Sequence, residues 1–291
     1  MTLEAISFDF WFMLPVSILI ATTALASGVE GATFFSPLFI LALGLPPEVA
    51  IGTGLVTEVF GFSSGLYAYA SRRLIDYRLG MALLMVTIPA ALLGTWISGV
   101  VDPEILKTIL GVGLFAVAAS FLRSPAEENV ETMDADASES KDKAQSCLTT
   151  SDGEEICYTV CNRTEGRLIA GIGGTFIGMV STGLGELNGY FLLQRCRVPS
   201  KVAIATSVFV VAITALIASG AHAFQFFQGD TGELDRIVSL LIFTIPGVVV
   251  GAQLGSAVAR YIPQRVLMIS MGILFILVAA LLLGEVGLKF L

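Results

Sequence analysis

Long apolar stretches alternate with short polar segments along the chain. The apolar runs occupy residues 11–43, 49–70, 79–101, 105–122, 168–194, 202–227, 237–259 and 266–283. Each run approaches or exceeds the roughly 18–20 residues that a helix needs to cross the hydrocarbon core of a bilayer. This pattern predicts an all-α polytopic membrane protein.

The composition agrees with this class. Hydrophobic residues make up 55% of the chain and charged residues 14%, with a mean hydropathy of +0.84, whereas a soluble domain has about 25% charged residues. The net charge of −8 comes from residues 124–166, which hold 11 acidic and 3 basic residues, while the remaining chain holds 13 of each sign. Glu4 and Asp9 stand where a secretory signal carries basic residues, so we expect no such signal.

The chain repeats itself on either side of the acidic segment. VAIGTG at 49–54 matches VAIATS at 202–207, and a proline stands three residues before each motif. Further matches follow in the same order: Pro89 and Gly94 with Pro246 and Gly251, then Pro103 with Pro263. Such ordered matches indicate an internal duplication. We therefore expect a first membrane repeat (1–123), an acidic cysteine-containing insert (124–166) and a second membrane repeat (167–291).

Each half opens with an apolar run that glycines interrupt. SGVEG at 27–31 divides the first run into pieces of roughly 16 and 13 residues, and TGLGE at 182–186 divides the second into pieces still shorter. None of these pieces comfortably crosses a ~30 Å hydrocarbon core. Two interpretations follow: one long helix with a flexible break, or a re-entrant hairpin whose tip lies near the midplane.

The distribution of Lys and Arg favours the hairpin. If each broken run crossed once, the two faces would receive 7 and 6 basic residues outside the insert, whereas hairpins give 10 and 3. The chain then forms two inverted repeats, each a glycine-broken re-entrant helical hairpin plus three transmembrane helices. Both termini lie outside and the insert is cytoplasmic. Secondary transporters are commonly built this way, and the two tips should face each other across a substrate site.

Three glutamates lie within the apolar runs and are candidates for proton coupling: Glu30, Glu58 and Glu186. Ionisation inside a membrane is costly, so an intramembrane carboxyl is a functional candidate by default. The alternative for Glu30 and Glu186 is helix capping, in which the carboxylate satisfies free N–H groups at a helix start. The alternative for Glu58 is a paired structural acid.

The tips also offer groups that bind anions. Backbone N–H groups at the start of a half-helix bind anions, and small residues allow a close approach. The candidate substrate-binding residues at or near the tips are Gly28, Gly31, Ser36, Thr53, Thr182, Gly183, Gly185, Asn188, Thr206 and Ser207. The alternative for each hydroxyl is a bond back to its own helix. His222, near the end of its run, is expected at the membrane interface.

Four cysteines remain: Cys147, Cys157 and Cys161 in the insert, and Cys196 after the second broken run. Two of them flank a Ser-Asp-Gly turn at 151–153, which predicts a β-hairpin. Reduced or loosely paired structural thiols are the expectation for a cytoplasmic insert, and a metal or redox role is the alternative. Residues 126–143 have the composition of a disordered acidic linker. No nucleotide loop, zinc signature or nucleophile motif indicates an enzyme, and no cofactor or metal is expected.

Several stretches of the two halves carry a family resemblance. They are the glycine-rich breaks at 28–31 and 183–185, LPPEVAIGT at 45–53, VPSKVAIAT at 198–206, RRLIDYR at 72–78 and the helix around 89–94. In these stretches the chain resembles the sulfite exporter TauE/SafE family of membrane permeases. The likeness covers both membrane halves and leaves out the insert.

The resemblance implies a multi-pass protein of the cell membrane that transports a small sulfur-containing anion: sulfite, thiosulfate or an organosulfonate. It implies a secondary transporter driven by the proton gradient, with alternating access between the two repeats. A passive anion channel on the same scaffold is the alternative, and a redox or metal sensor on a membrane anchor is a further one. The expected partners are the anion, protons and the lipid bilayer, but no nucleic acid, and a homo-oligomer is possible.

Overall fold

A computed structural model of the chain describes residues 8–27, 30–122, 146–228, 231–258 and 264–289. The fold is almost entirely helical. A short 3₁₀ turn at Phe8–Phe10 precedes α1 (Met13–Ser27), α2 (Ala32–Leu41), α3 (Pro47–Ser71), α4 (Tyr77–Val100), α5 (Pro103–Leu122), β1 (Ser146–Thr149), β2 (Glu155–Tyr158), α6 (Arg163–Val180), α7 (Leu184–Gly189), α8 (Ser200–Gln228), α9 (Thr231–Val258) and α10 (Gln264–Lys289). A π-helical segment, Tyr190–Arg195, continues α7 directly.

Six of these helices are long and apolar enough to cross a membrane: α3, α4, α5, α8, α9 and α10. The apolar parts of α1 and α2 are shorter, 10–17 residues each. The predicted all-α polytopic membrane protein is confirmed. The candidate spans are the three unbroken runs of each half, and the broken runs form the remaining helices.

The second broken run differs in length from the prediction. Its first helix, α6, has 18 residues because it begins at Arg163, before the apolar run. The Asn162 side chain accepts hydrogen bonds from the N–H groups of Thr164 and Glu165 and caps this polar first turn. The helix ends where Ser181 adopts a left-handed conformation with φ 58°. Hydropathy alone misses such a start, because capping rather than burial sets it.

The second broken run turns back within the helix bundle. A disulfide joins Cys161, which precedes α6, to Cys196, which follows the π-helical segment. The Arg195 side chain also lies 3.0 Å from Glu165 in the first turn of α6. The start and the end of this run therefore lie together, as a re-entrant hairpin requires.

The first broken run turns back in the same way. The Phe8 ring, before α1, lies 6.0 Å from the Phe243 ring on α9. The Arg236 guanidinium, also on α9, donates to the carbonyl oxygen of Leu43, just after α2. Both ends of this run therefore lie against the first half of α9. The second hairpin lies instead beside the start of α8, a helix of 29 residues that leads to α9. The inversion of one half relative to the other stays a prediction.

Helices of the two predicted repeats pack on each other in matching pairs. In the first half, α1 packs on α9 of the second half; correspondingly, α6 of the second half packs on α4 of the first. The equivalent helices α3 and α8 pack on each other, as do α5 and α10. Threonine pairs join α3 to α9 (Thr57–Thr244, 3.2 Å) and α4 to α8 (Thr87–Thr214, 2.9 Å) at equivalent contacts. The two sequence repeats are thus interleaved in one core.

Glycines bring the paired helices of different halves, α1 with α9 and α4 with α6, close together. A Cβ on Gly251 of α9 would lie 2.5 Å from the Ile18 carbonyl oxygen of α1, and a Cβ on Gly174 of α6 would lie 2.7 Å from the Thr87 carbonyl oxygen of α4. Small residues at such contacts let helix backbones approach closely in membranes.

The described part of the insert is a disulfide-bonded β-hairpin. Strands β1 and β2 pair antiparallel with Cys147 opposite Cys157, and these two residues form a disulfide. The predicted hairpin is confirmed. The expectation of reduced or loosely paired thiols is wrong, because all four cysteines lie in the two disulfides. Residues 126–143, the predicted acidic linker, lie outside the described residues.

The β-hairpin rests on the end of the bundle that carries the second broken run. The Tyr158 hydroxyl donates to Asp76 between α3 and α4 at 2.6 Å, and the Ser151 N–H donates to the carbonyl oxygen of Arg72 at 3.1 Å. Tyr158 also packs in a small apolar cluster with Phe191 and Val198. The insert is thus attached to the membrane helices by hydrogen bonds, apolar contacts and a disulfide.

Candidate substrate site at the hairpin tips

The two hairpin tips meet inside the bundle. The Thr33 hydroxyl donates to the Thr182 hydroxyl at 2.9 Å, and the Ser36 and Ser181 hydroxyls lie 2.5 Å apart. All four side chains are buried. The beginning of α2 therefore touches the segment between α6 and α7, which is the contact that the two glycine-rich breaks predict.

Glu30 reaches from the first tip to the second. Its Oε1 accepts a hydrogen bond from the N–H of Gly185 at 2.5 Å, although the residue is only 5% exposed. Its Oε2 is buried with no hydrogen-bond partner among the described residues. A side chain at 185 would meet this carboxylate, since a Cβ there would lie 2.5 Å from Oε1. The glycine therefore makes the contact between the tips possible.

Glu186 binds within its own tip. Its Oε2 accepts from the N–H of Gly183 at 3.1 Å, and its Oε1 has no partner among the described residues. Gly183 precedes α7 and has a φ of 105°, which a residue with a side chain rarely adopts. Glu30 and Glu186 both make the contacts of capping carboxylates. This contact neither requires nor excludes a part in proton coupling.

Glu58 is different, because its carboxylate makes no hydrogen bond. It lies on α3, is 3% exposed, and neither oxygen has a hydrogen-bond partner among the described residues. The carboxylate faces the start of α2, where the N–H groups of Gly31 and Ala32 provide the favourable charge. A small cavity of about 30 Å³ lies beside it.

Helices α1, α2, α3 and α9 line this cavity. The lining residues are Ala21, Ala24, Gly31, Phe35, Glu58, Gly61, Phe62, Val248 and Ala252. The lining is apolar except at Glu58 and at the backbone of Gly31. An anion in this cavity would therefore find its positive partner at the beginning of α2.

The structure brings five of the ten predicted substrate-binding residues to the tips. Gly31, Ser36, Thr182, Gly183 and Gly185 lie there.

The other candidates are placed differently. Asn188 on α7 is 1% exposed and its Nδ2 has no partner among the described residues. The Thr53 hydroxyl donates to the Val49 carbonyl oxygen of its own helix. The Thr206 hydroxyl accepts from the N–H of Asp76, so it stabilises the turn before α4. Ser207 is 8% exposed on α8, and Gly28 lies outside the described residues.

Sequence reasoning missed two polar residues at the tips and misplaced a third polar residue. Thr33 and Ser181 pair across the tips, and their positions inside the breaks were the available signal. His222 was expected at the membrane interface but is fully buried, with Nε2 at 2.9 Å from the Gly178 carbonyl oxygen. That expectation is wrong because α8 is surrounded at this point by α3 and α6.

A metal site is not apparent at the tips. Among the described residues, only Cys147, Glu155 and Cys157 have ligand atoms grouped closely enough to hold an ion. Both cysteines of that group are in a disulfide, so they have no thiolate to offer.

Comparison with known proteins identifies the family. A model of the sulfite exporter TauE/SafE family matches residues 13–282. The chain belongs to this family. The matched residues include both hairpins and all or most of every candidate span, so the TauE/SafE match covers the whole arrangement around the tips.

Curated relatives support a TauE/SafE membrane transporter. "Probable membrane transporter protein YunE" of Bacillus subtilis (strain 168) is 24% identical over 258 residues, which cover 88% of this chain and 88% of the relative. "Probable membrane transporter protein YjnA" of the same organism is 26% identical over 268 residues, covering 86% and 91%. "Probable membrane transporter protein ORF9" of Sinorhizobium sp is 29% identical over 86 residues, 30% of this chain and 33% of the relative. No solved structure matches the chain.

Proposed function

We propose that this member of the TauE/SafE family is a secondary transporter of a small sulfur-containing anion: sulfite, thiosulfate or an organosulfonate. The observation that carries the proposal is the meeting of two half-helix starts inside the bundle. At the second tip, carboxylate oxygens of Glu30 and Glu186 already accept from the N–H groups of Gly185 and Gly183. At the first tip, the Glu58 carboxylate faces the start of α2. A site that binds carboxylate oxygens is chemically suited to other oxyanions.

Alternating access is the second part of the proposal. The hydroxyl contacts of 2.9 Å and 2.5 Å across the tips leave no room between these side chains for an oxyanion. Binding must therefore separate the Thr33–Thr182 and Ser36–Ser181 pairs. We expect the two hairpins to move apart and to open the site towards one face at a time, with Asn188, Thr53, Thr206 and Ser207 in supporting positions.

Proton coupling is the third part. Glu30, Glu58 and Glu186 are all buried and close enough to interact electrostatically. Three ionised carboxylates would repel an incoming anion strongly in such a site. Uptake of a proton removes this repulsion, so anion and proton are expected to bind together. We place the transporter in the cell membrane with the insert in the cytoplasm, as the Lys and Arg distribution favours.

Transport into proteoliposomes tests the proposal. Labelled sulfite, thiosulfate and a sulfonate are offered with and without an imposed proton gradient. We expect saturable uptake of at least one of these anions, and accumulation of that anion when the proton gradient is imposed. Glu30→Gln should remain folded but lose the response to the gradient. Non-saturating flux far above ~10³ per second per protein would identify a channel. No flux of any of the three anions would contradict the substrate class.

A further inference from the structure

We propose that the Glu58 carboxylate occupies an anion site at the start of α2, and that the transported anion binds there only after this carboxylate has left. The inference rests on the proposed function, because it assumes that a small oxyanion passes the hairpin tips. In addition, the Glu58 carboxylate takes the place of that anion when no anion is bound.

The first argument is the position of Glu58. The carboxylate faces the N terminus of α2, a helix of ten residues that has no capping side chain. Its Oε1 lies 3.8 Å from the position that a Cβ on Gly31 would take. The N-terminal end of a helix carries partial positive charge. Glu58 therefore lies where an anion would be held.

The second argument is that Glu58 is not fixed there. A structural capping carboxylate makes hydrogen bonds, as Glu30 does with Gly185 at 2.5 Å. Glu58 makes none, although it is 97% buried by its exposure of 3%. An unpartnered buried carboxylate is costly. The N–H groups of Gly31 and Ala32 stabilise this one without a hydrogen bond of ordinary geometry, so it is held less firmly than Glu30.

The third argument is the space beside it. The cavity next to the start of α2 has a volume of about 30 Å³, and small residues such as Ala21, Ala24 and Gly31 line it. This space allows a new position of the glutamate carboxylate, whose departure leaves its present place at the start of α2 to the anion. Exchange between carboxylate and anion therefore needs no rearrangement of α3.

Replacement of the Glu58 carboxylate by the anion predicts that anion binding is coupled to proton uptake. Two other ionisable groups lie close enough to Glu58 to interact with its charge, namely Glu30 and Glu186. The cavity-lining residues of α1, α2 and α9 are not ionisable. On neighbouring helices, His222 of α8 contacts α3 at Gly52, nearly two turns before Glu58, and Lys107 of α5 is paired with Glu285. Among the described residues that line the cavity, none is a cation that could replace the displaced charge. The displaced carboxylate therefore takes up a proton, and anion and proton move in the same direction.

The test uses purified full-length protein, with formate and thiosulfate as probes. Glu58→Ala empties the position, whereas Glu58→Gln removes the charge and keeps the volume. We expect millimolar formate to raise the unfolding temperature of Glu58→Ala but not of the wild type or of Glu58→Gln. We expect thiosulfate to bind Glu58→Ala about tenfold more tightly than the wild type, and to compete with formate.

Equal gains in thiosulfate affinity for the Ala and Gln variants would overturn the proposal, because charge repulsion alone would then explain them. If both variants bind thiosulfate with the affinity of the wild type, the proposal about Glu58 is overturned, while the proposed transport function stands. Formate binding that thiosulfate does not compete with would support the site and contradict the sulfur-anion substrate.

A measurement on the wild type keeps the proposal testable if Glu58→Ala does not fold. Thiosulfate binding in weak buffer should consume roughly one proton per anion, and Glu58→Gln should abolish this uptake. Binding without proton uptake by the wild type would overturn the proposal.

Discussion

At the scale of single residues, Tyr158 and Asp76 show how one hydrogen bond attaches the insert to the membrane helices. Burial, and then the nearby Asp76 carboxylate, raise the pKa of Tyr158 above its ordinary value. The phenol is therefore protonated at every pH below about 10, where it donates to Asp76. A raised pKa means that this contribution to stability is complete below the ordinary value and is lost only as the pH rises through the higher folded value.

Tyr158→Phe is expected to loosen the β-hairpin without unfolding the protein. The variant loses a hydrogen bond to a carboxylate, worth about 1.5–3 kcal/mol, while the disulfides keep the insert attached. Hydrogen exchange of the Ser151 N–H, which donates to Arg72, should become about tenfold faster or more. Tyr67→Phe is the control, because Tyr67 is 77% exposed. Unchanged exchange in Tyr158→Phe would show that the hydrogen bond from Tyr158 to Asp76 does not hold the hairpin in place.

At the scale of helices, close backbone contact holds together the helix pairs α1–α9 and α4–α6, each of which joins the two halves of the chain. Helices α4 and α6 meet where Gly174 and Gly178 face the carbonyl oxygens of Thr87 and Ala91. Membrane helices gain little from apolar burial against each other, since lipid is equally apolar, so packing contacts of this kind decide their association.

Gly174→Ala is expected to lower the unfolding temperature of the purified protein. The added Cβ would lie 2.7 Å from the Thr87 carbonyl oxygen and 2.9 Å from its Cα, and overpacking typically costs about 1–3 kcal/mol. Gly220→Ala on α8 is the matched control, because nothing lies within 4 Å of its added Cβ. There, the better helix propensity of alanine should leave stability unchanged or slightly higher. An equal effect of both changes would contradict the packing argument.

Local patterns predicted the elements and the meeting of the two tips, but they did not predict which distant residues form pairs. Run length and glycine clusters gave the spans and the breaks, because both act within a short stretch of chain. The Thr33–Thr182 contact joins residues 149 apart, and the Cys161–Cys196 disulfide joins residues 35 apart. Neither pairing has a signal in one sequence. The three glutamates could be recognised from the sequence, because a carboxyl group in an apolar run is energetically costly. The N–H groups that each glutamate faces could not be predicted.

At the scale of the whole molecule, two signals disagree about the face that carries the insert. The Lys and Arg count of 10 against 3 assigns this face to the cytoplasm. The two disulfides are typical of an oxidising compartment. The Lys and Arg bias acts on the orientation of the whole chain during insertion. The cytoplasmic insert therefore stays a prediction that the basic residues favour and the disulfides oppose.

Labelling of intact cells with a membrane-impermeant maleimide separates the two signals. If the insert is cytoplasmic, its cysteines should stay unlabelled from outside even after an impermeant reductant. They should react once the membrane is permeabilised in the presence of that reductant. Asp102→Cys is the control, since Asp102 is exposed between α4 and α5, and α4 spans the bundle from the insert end over about 36 Å. This cysteine should react from outside. The reverse result, with the insert labelled from outside after reduction, would invert the topology. The disulfides would then be permanent links, and the basic loops near the insert would face the exterior, where they would meet an anion entering the cell.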